Sequence, residues 1–346
     1  MERQLQIESW LRQNHPGTPF SLAPASADAS FRRYFRVTFR KGPDDTSTCI
    51  VMDAPPSRED CAPWLQVQRR LQEAGVHVPA VLARDLAQGF LLISDLGSTP
   101  YLAALLQRSA RNQASEIRAL YADAIDALIR IQSSGRHDGM PVYGRALLQR
   151  EMDLFPDWYV AKHLGITLSD PQREILHQAF ERILAVNLAE PQVFVHRDYH
   201  SRNLMLIDAP GQGNPGIIDF QDAVSGPISY DLVSLFKDAY IAWEEEQTLD
   251  WLIRYWEAAR CAHLPVRADF GDFHRDYEWM GAQRHLKILG IFARLFHRDG
   301  KDGYLKDMPL VAKYLRLTCE RYRGLGPLRK LLDELENRVV QVGYSF

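Results

Sequence analysis

Cysteine is scarce in this chain: Cys49, Cys61, Cys261 and Cys319 are the only four in 346 residues, and no two form a CxxC pair. That spacing excludes a zinc knuckle and a thioredoxin-type motif, and it suits the reducing cytosol. An excess of charge is also lacking, since 41 Lys and Arg against 44 Asp and Glu leave a net charge of -3. Without a basic balance there is no general attraction to polyphosphate. The clusters Arg32, Arg33, Arg36 and Arg69, Arg70 therefore read first as solvated faces, and nucleic acid is not an expected partner. No apolar run approaches the roughly 18 residues that cross a bilayer, so no membrane partner is expected either. The opening stretch, MERQLQIESWLRQNHPG, carries charges throughout and spaces Leu5, Trp10 and Leu11 as one helical face. It reads as an amphipathic helix rather than a secretory leader. Internal repeats and low-complexity segments are absent too.

What remains, 46% hydrophobic and 25% charged residues, is the composition of an ordinary globular protein with a length suited to about two domains. After the first helix, FRRYFRVTFR (31–40), TCIVMDAP (48–55) and GFLLISDLG (89–97) are short, rich in β-branched and aromatic residues, and bounded by Gly, Pro or Asp, which predicts strands. Between the last two, Trp64, Leu65, Val67 and Leu71 recur at helical spacing up to Gly75. From Tyr101 the texture turns helical, with Ile117, Leu120, Tyr121, Ala124, Leu128 and Ile131 as one stripe, and further amphipathic stretches lie near 172–188, 229–260, 274–297 and 309–340. The expected fold is α+β and bilobal: a small antiparallel sheet with one main helix over residues 1–96, and a larger, mainly helical lobe over 97–346.

One strand-like island interrupts the helices. It begins with VHRDYHSRNLML (195–206) and ends with GIIDF (216–220). Its turn spells G-x-G-x-x-G with Gly211, Gly213 and Gly216, but a dinucleotide loop runs from a strand into a helix, whereas here another strand-like run follows, so hairpin geometry explains the glycines. His196 and His200 are four apart, as in helical zinc sites; the segment does not read as helical, and no HExxH-like spacing supplies a base and a third ligand. The phosphoryl-transfer reading fits better. Asp198 and Asn203 match H-R-D-x-x-x-x-N residue for residue, and Asp219 follows sixteen positions after Asn203 at the far end of the hairpin. A base to orient an acceptor hydroxyl, an amide and a carboxylate then occur in order, the last two being hard oxygen ligands suited to Mg²⁺.

At these residues the chain resembles the aminoglycoside phosphotransferase and choline kinase-like superfamily, relatives of the protein kinases. The stretches ADASFRRYFRV, VMDAPPSRED, GVHVPAVLARD, GFLLISDLG and FQDAVSGPISYDLVSL are most similar to its anomeric sugar kinases, which phosphorylate N-acetylmuramate and N-acetylglucosamine at the 1-hydroxyl in cell-wall recycling. The likeness runs from about Leu22 to Trp256. It implies a cytoplasmic enzyme with ATP as co-substrate, Mg²⁺ as cofactor and an amino sugar as acceptor. It also implies that Asp198 is the catalytic carboxylate and that Asn203 and Asp219 hold the metal. Asp95 and Leu96 would lie at the interlobe hinge, where backbone groups meet the adenine. His196 and Asp231 would be structural, Asp231 bracing the catalytic loop by accepting backbone N–H bonds. Arg202, Gln221 and Asp222 are candidates for the sugar hydroxyls.

Two departures bear on the phosphate grip. Kinases carry a lysine on the third strand, and the corresponding run here, CIVMD, has Met52 or Asp53 instead. The loop over the phosphates, APASADASFRR, offers Ser26, Asp28 and Ser30 where glycines are usual. Arg32 or Arg33, just after that loop, is the expected replacement cation, since a guanidinium can hold two phosphate oxygens at once. Two other readings stay open: a kinase for aminoglycosides or choline, and a non-catalytic nucleotide-binding regulator.

Overall fold

A computed structural model describes residues 2–27, 31–40, 42, 45–208 and 213–336 of the chain, with Ser26 and Ala27 described by their backbone alone. In chain order the first elements are α1 (Glu2–Asn14), β1 (Phe20–Ala27), β2 (Arg33–Arg40), β3 (Thr46–Asp53), α2 (Cys61–Glu73), β4 (Val81–Asp85) and β5 (Phe90–Ser94). Next come α3 (Tyr101–Ala110), α4 (Ala114–Ser133), α5 (Arg145–Met152), a π-helical stretch (Phe155–His163), α6 (Asp170–Asn187), β6 (Gln192–Val195), β7 (Leu204–Met205), β8 (Gly216–Ile217) and β9 (Val224–Pro227). The remainder is helical: α7 (Tyr230–Phe236), α8 (Glu245–Cys261), α9 (Phe270–Asp299), α10 (Met308–Arg321) and α11 (Gly326–Leu335).

These elements group into two compact units, Met1–Arg130 with Arg202–Asp222, and Ile131–Ser201 with Ala223–Phe346. This division and the change of texture at residues 96/97 are different things, because α3, most of α4 and the β7–β8 hairpin group with the sheet.

In the first unit, five antiparallel strands lie in the order β1-β2-β3-β5-β4. The period of two along each strand decides what each face does. Val37, Phe39, Val51, Phe90 and Leu92 point to one face and bury Ile7, Trp10 and Leu11 of α1. Tyr34, Arg36, Ile50 and Ile93 point to the other and line a cleft. Strand β1 was not foreseen: FSLAPASA is poor in β-branched residues and carries Pro24, which is tolerated because β1 is an edge strand with an irregular register at Pro24.

The β7–β8 hairpin belongs to this unit. The Ile217 amide donates to His77 O (2.8 Å) and the Leu206 amide to Thr99 O (2.8 Å), while Met205 and Ile207 pack on Leu96. A Cβ on Gly216 would meet Ile207 Cδ1 at 2.8 Å and Leu96 Cδ1 at 3.0 Å. The last glycine of the G-x-G-x-x-G string thus serves close packing of a hairpin; Gly211 lies outside the described residues.

The second unit is built on α9, thirty residues long and largely buried. It opens on an Asp269 cap that accepts from the Asp272 amide and closes on left-handed Gly300. The π-helical stretch crosses it so closely that a Cβ on Gly290 would sit 2.4 Å from the Leu154 carbonyl carbon. Strands β6 and β9 pair antiparallel, Val193 opposite Gly226, and so bring the start of α7 beneath the loop that follows β6.

Candidate active site

The cleft of the first unit has a volume of about 380 Å³. Four sources line it: Tyr34, Arg36 and Ile50 from the sheet, Trp64 from α2, the segment Ile93–Ser98, and Arg202, Asn203, Met205, Ile218, Asp219 and Phe220 around the hairpin. Trp64 and Phe220 contact each other with ring centroids 5.1 Å apart. Of the candidate residues, Asp95, Leu96, Arg202, Asn203 and Asp219 line this space.

Asn203 precedes β7 and Asp219 follows β8, so the short antiparallel pair returns the chain and sets the two side chains side by side. The Asn203 amide donates to Asp219 Oδ2 at 3.2 Å and Gln221 Nε2 donates to Asp219 Oδ1 at 2.8 Å. Asp219 adopts φ +63°, a conformation that costs a non-glycine residue of order 1–3 kcal/mol and that the hairpin imposes. Adjacent oxygen ligands of an octahedral Mg²⁺ lie about 3.0 Å apart, given Mg–O distances of about 2.1 Å. With its amide turned to present the oxygen, Asn203 and Asp219 have the spacing and the hard-donor chemistry for two such positions. Among the described residues no three His, Cys, Asp or Glu side chains converge as a metal cage, so remaining positions on such an ion would belong to phosphate oxygens and water.

Asp95 follows β5 and is gripped by Arg36, Nε to Oδ2 at 2.6 Å and Nη2 to Oδ1 at 3.0 Å; Arg36 also reaches Gly97 O at 2.8 Å. Burial pushes the Asp95 carboxyl up, and the Arg36 guanidinium with Thr48 more than reverses this, leaving it below its ordinary range. The side chain of Asp95 is thereby committed to fixing the turn.

The candidate phosphate cations are placed elsewhere. Arg33 shares Asp53 with Arg3 of α1; its odd position on β2 puts it on the α1 side of the sheet, and it does not line the cleft. Arg32 lies 3.7 Å from Glu59 and also does not line the cleft. Arg36, three residues on and on the cleft side, is the strand cation the sequence reading passed over; counting in twos from Val37 and Phe39 would have found it. Asp53, one of the two residues that stand where the strand lysine is usual, is fully buried and paired with both arginines. Asp28, Ser30 and the side chain of Ser26 lie outside the described residues. Asp222 is exposed, and Gln221 acts on Asp219 rather than on the cleft wall.

His196, Asp198 and Asp231 belong to the second unit. Asp231 sits fully buried in the first turn of α7, where Oδ2 accepts from the His196 amide (2.7 Å) and Oδ1 from the Arg197 amide (3.0 Å). Burial pushes its carboxyl up to about 7 against the pull of those two N–H groups. The Asp198 amide donates to His196 Nδ1 at 3.2 Å, so this buried imidazole spends a ring nitrogen on the loop itself. Arg197 between them adopts φ +77°. Farther along, the Ser201 amide donates to buried Asp238 at 2.9 Å.

Around Asp198 stands a set of charged and polar side chains from three helices, α5, α7 and α9. Arg284 of α9 approaches its Oδ1 at 3.7 Å and donates to Arg197 O (2.8 Å) and the Tyr230 hydroxyl (2.9 Å). Lys287 donates to the same hydroxyl (2.8 Å) and pairs with Glu151 of α5 at 3.0 Å, which also holds Arg197 and Tyr143. Burial would raise the Asp198 carboxyl, but Lys287, Arg284, His200 and Arg197 outweigh it and hold the group well below the usual carboxylate range. Arg284 and Lys287, which stand around Asp198, are the candidate residues that sequence reading missed. The available signal was two cations three apart inside the stretch MGAQRHLKILGIF, whose other residues are apolar or glycine except Gln283 and His285, a pattern that calls for buried partners.

The phosphotransferase enzyme family model matches residues 21–274. The chain is similar to the N-acetylmuramate/N-acetylglucosamine kinase of Neisseria meningitidis serogroup B, 47% identical over 347 residues and covering all of both chains. To the Pseudomonas aeruginosa protein of the same name it is 46% identical over 317 residues, 92% of this chain and 89% of that one. Among solved structures, the GDP complex of aminoglycoside 2'-phosphotransferase-IIIa matches with a TM-score of 0.57 at 15% identity, covering 92% of this chain and 99% of that one. Choline kinase LicA from Streptococcus pneumoniae matches at 0.56 and 13% identity, covering 90% of this chain and 98% of that one. These likenesses show the fold, that of the protein-kinase-like phosphotransferases. With a family model spanning most of the sequence and relatives nearly half identical over its whole length, this chain belongs to the phosphotransferase enzyme family.

Proposed function

We propose that the chain is an ATP-dependent sugar kinase that transfers the γ-phosphoryl group to the 1-hydroxyl of N-acetylmuramate and N-acetylglucosamine. The observation that carries the reading of a kinase is Asp198: a carboxylate held ionised by surrounding cations, yet with 40% of its side chain open, on a loop whose residue five positions later is Asn203. The names of the full-length relatives support the choice of acceptor.

In this reading the cleft takes the nucleotide. The base lies against Ile50, Ile93 and Leu96 and meets the backbone of the Asp95–Gly97 turn, which Arg36 fixes. Asn203 and Asp219 hold Mg²⁺, whose charge offsets that of the phosphates when it is bound. Asp198 accepts a hydrogen bond from the sugar hydroxyl, aligns its oxygen for attack and takes its proton as the phosphoryl group transfers; ADP and the sugar 1-phosphate leave. Little covalent chemistry falls to the protein, so positioning and electrostatics carry the rate. Arg202 in the cleft wall is the candidate for a contact to phosphate or sugar. The four cysteines are all free, in keeping with a cytoplasmic site of action.

The test is coupled ADP detection with N-acetylmuramate, N-acetylglucosamine, kanamycin and choline. ADP is expected with the first two, with loss of the sugar's reducing end as C1 becomes esterified, and Asp198→Ala should abolish both. Turnover on kanamycin or choline alone would overturn the acceptor; no ADP with any acceptor would return the chain to the class of nucleotide-binding regulators.

A further inference from the structure

The catalytic carboxylate proposed above has a neighbour that cannot itself reach a reactant. The Arg284 side chain is 4% exposed against 40% for Asp198, so it stands behind the carboxylate rather than beside it in the open. Its nitrogens engage three groups: Asp198 Oδ1 at 3.7 Å, the Arg197 carbonyl at 2.8 Å and the Tyr230 hydroxyl at 2.9 Å. Two of these belong to the loop, on either side of the Arg197–Asp198 peptide. The third anchors the guanidinium to α7, next to Asp231, which holds the same loop by the His196 and Arg197 amides. The loop is thus clamped from two helices, by an anion on its amides and a cation on a carbonyl and a carboxylate.

We propose that Arg284 is a positioning residue for phosphoryl transfer: its buried guanidinium fixes Arg197 in its left-handed conformation and holds Asp198 as an ionised acceptor in one orientation. The inference rests on Asp198 being the group that meets the acceptor hydroxyl. The chemistry explains why arginine stands there. Only a planar fork of N–H donors reaches a carbonyl, a hydroxyl and a carboxylate at once, and it keeps its charge when buried. Lysine at 287 serves a simpler demand, one hydroxyl and one carboxylate. Asp198 is faced by Arg284 and Lys287 from α9, by Arg197 and His200 from its own loop, and by Asp231 from α7. Removing one cation of this set therefore leaves the carboxylate charged at neutral pH but less firmly so, and without the Arg284 contact that helps to orient it.

The experiment compares Arg284→Lys, Arg284→Met, Asp198→Asn and the double variant Arg284→Met with Asp198→Asn, using the full chain, ATP with Mg²⁺ and N-acetylglucosamine. Circular dichroism and melting establish folding first. Arg284→Met is expected to lower kcat about 10- to 100-fold while KM for ATP stays within threefold, and to move the acid limb of the kcat–pH profile upward. Arg284→Lys should restore the limb, which needs only the charge, and recover part of kcat, which also needs the fork. In the Asp198→Asn background the same Arg284→Met change should cost less than threefold. A folded Arg284→Met with unchanged kcat and pH limb overturns the proposal, as does an equal loss in both backgrounds. If Arg284→Met does not fold, Arg284→Lys decides alone, wild-type kcat and limb overturning the proposal and a reduced kcat with the limb in place supporting it. Should Asp198→Asn itself keep full turnover, the kinase reading has failed and not merely this refinement.

Discussion

Replacing Asp231 with alanine perturbs the loop where the structure gives the most to calculate with. The carboxyl is fully buried and, at pH 8, above the value of about 7 to which burial lifts it, accepts two backbone N–H bonds as an anion, from His196 at 2.7 Å and Arg197 at 3.0 Å. Each bond to a charged acceptor is worth roughly 1.5–3 kcal/mol, and each amide left without a partner costs roughly 1–3 kcal/mol of desolvation. Those figures describe the same loss from two sides and are not summed. Two bonds give about 3–6 kcal/mol, a range that contains the usual scale for removing one partner from a buried charged network. Arg197 would also relax from φ +77°, which recovers part of this, of order 1 kcal/mol, and misplaces Asp198. Denaturant midpoints at unchanged m measure the first effect, and coupled ADP release at saturating ATP and sugar measures the second. The expected outcome is a loss of about 2–5 kcal/mol with kcat lower by at least 100-fold and KM for ATP within a few fold, since every cleft-lining residue lies in the other unit. A variant within about 1 kcal/mol of wild type that keeps its turnover would refute the reasoning, because the two amides would then have found other partners at no cost.

Three further outcomes can be stated briefly. Burial pushes the Glu190 carboxyl up to about 8 against its Ser229 hydrogen bond; the folded chain then holds a proton that the unfolded chain releases above about 4.5, so stability is greatest below that pH and declines up to pH 8. Glu190→Gln should flatten the fall in Tm between pH 5 and 8.5, and an unchanged slope would assign the decline to other groups. Gly290→Ala gains about 1 kcal/mol of helix propensity, yet its Cβ would lie 2.4 Å from the Leu154 carbonyl carbon, a backbone atom that cannot swing aside; a net loss of about 1–3 kcal/mol is expected, and a raised Tm would sink the packing argument. Asp219→Asn should raise the Mg²⁺ concentration needed for half-maximal turnover by at least tenfold while leaving the melting temperature in metal-free buffer within a few degrees, whereas an unshifted Mg²⁺ requirement would remove Asp219 from the metal site.

The loop–hairpin island was legible because its chemistry is local. H-R-D-x-x-x-x-N and the later Asp219 lie within 24 residues, and the Gly/Pro-rich turn between two short apolar runs announces a hairpin without any long-range information. Strands β2, β3 and β5 and helices α2, α6 and α9 were legible for the same reason, their periodicity being written in consecutive residues. Strand β1 was not, since an edge strand relies on its partner β2 and carries little pattern of its own. The pairing of β6 with β9 was hidden because QVFV and VSGP are 32 positions apart and each is four residues long.

By itself, then, the sequence determined the α+β class, the order of a carboxylate, an amide and a second carboxylate along one loop and hairpin, and the absence of the strand lysine. Tertiary structure alone decided which arginine does what. Arg33 and Arg36 are three positions apart in one strand, and it is the burial of one sheet face by α1 that commits Arg33 to Asp53 and turns Arg36 toward the cleft. Arg284 and Lys287 reach Asp198 and Tyr230 across more than fifty residues of chain. No local pattern records such a meeting, because an ionic contact is fixed by where two folded backbones pass, whereas a helix or hairpin is fixed by neighbours already bonded to one another.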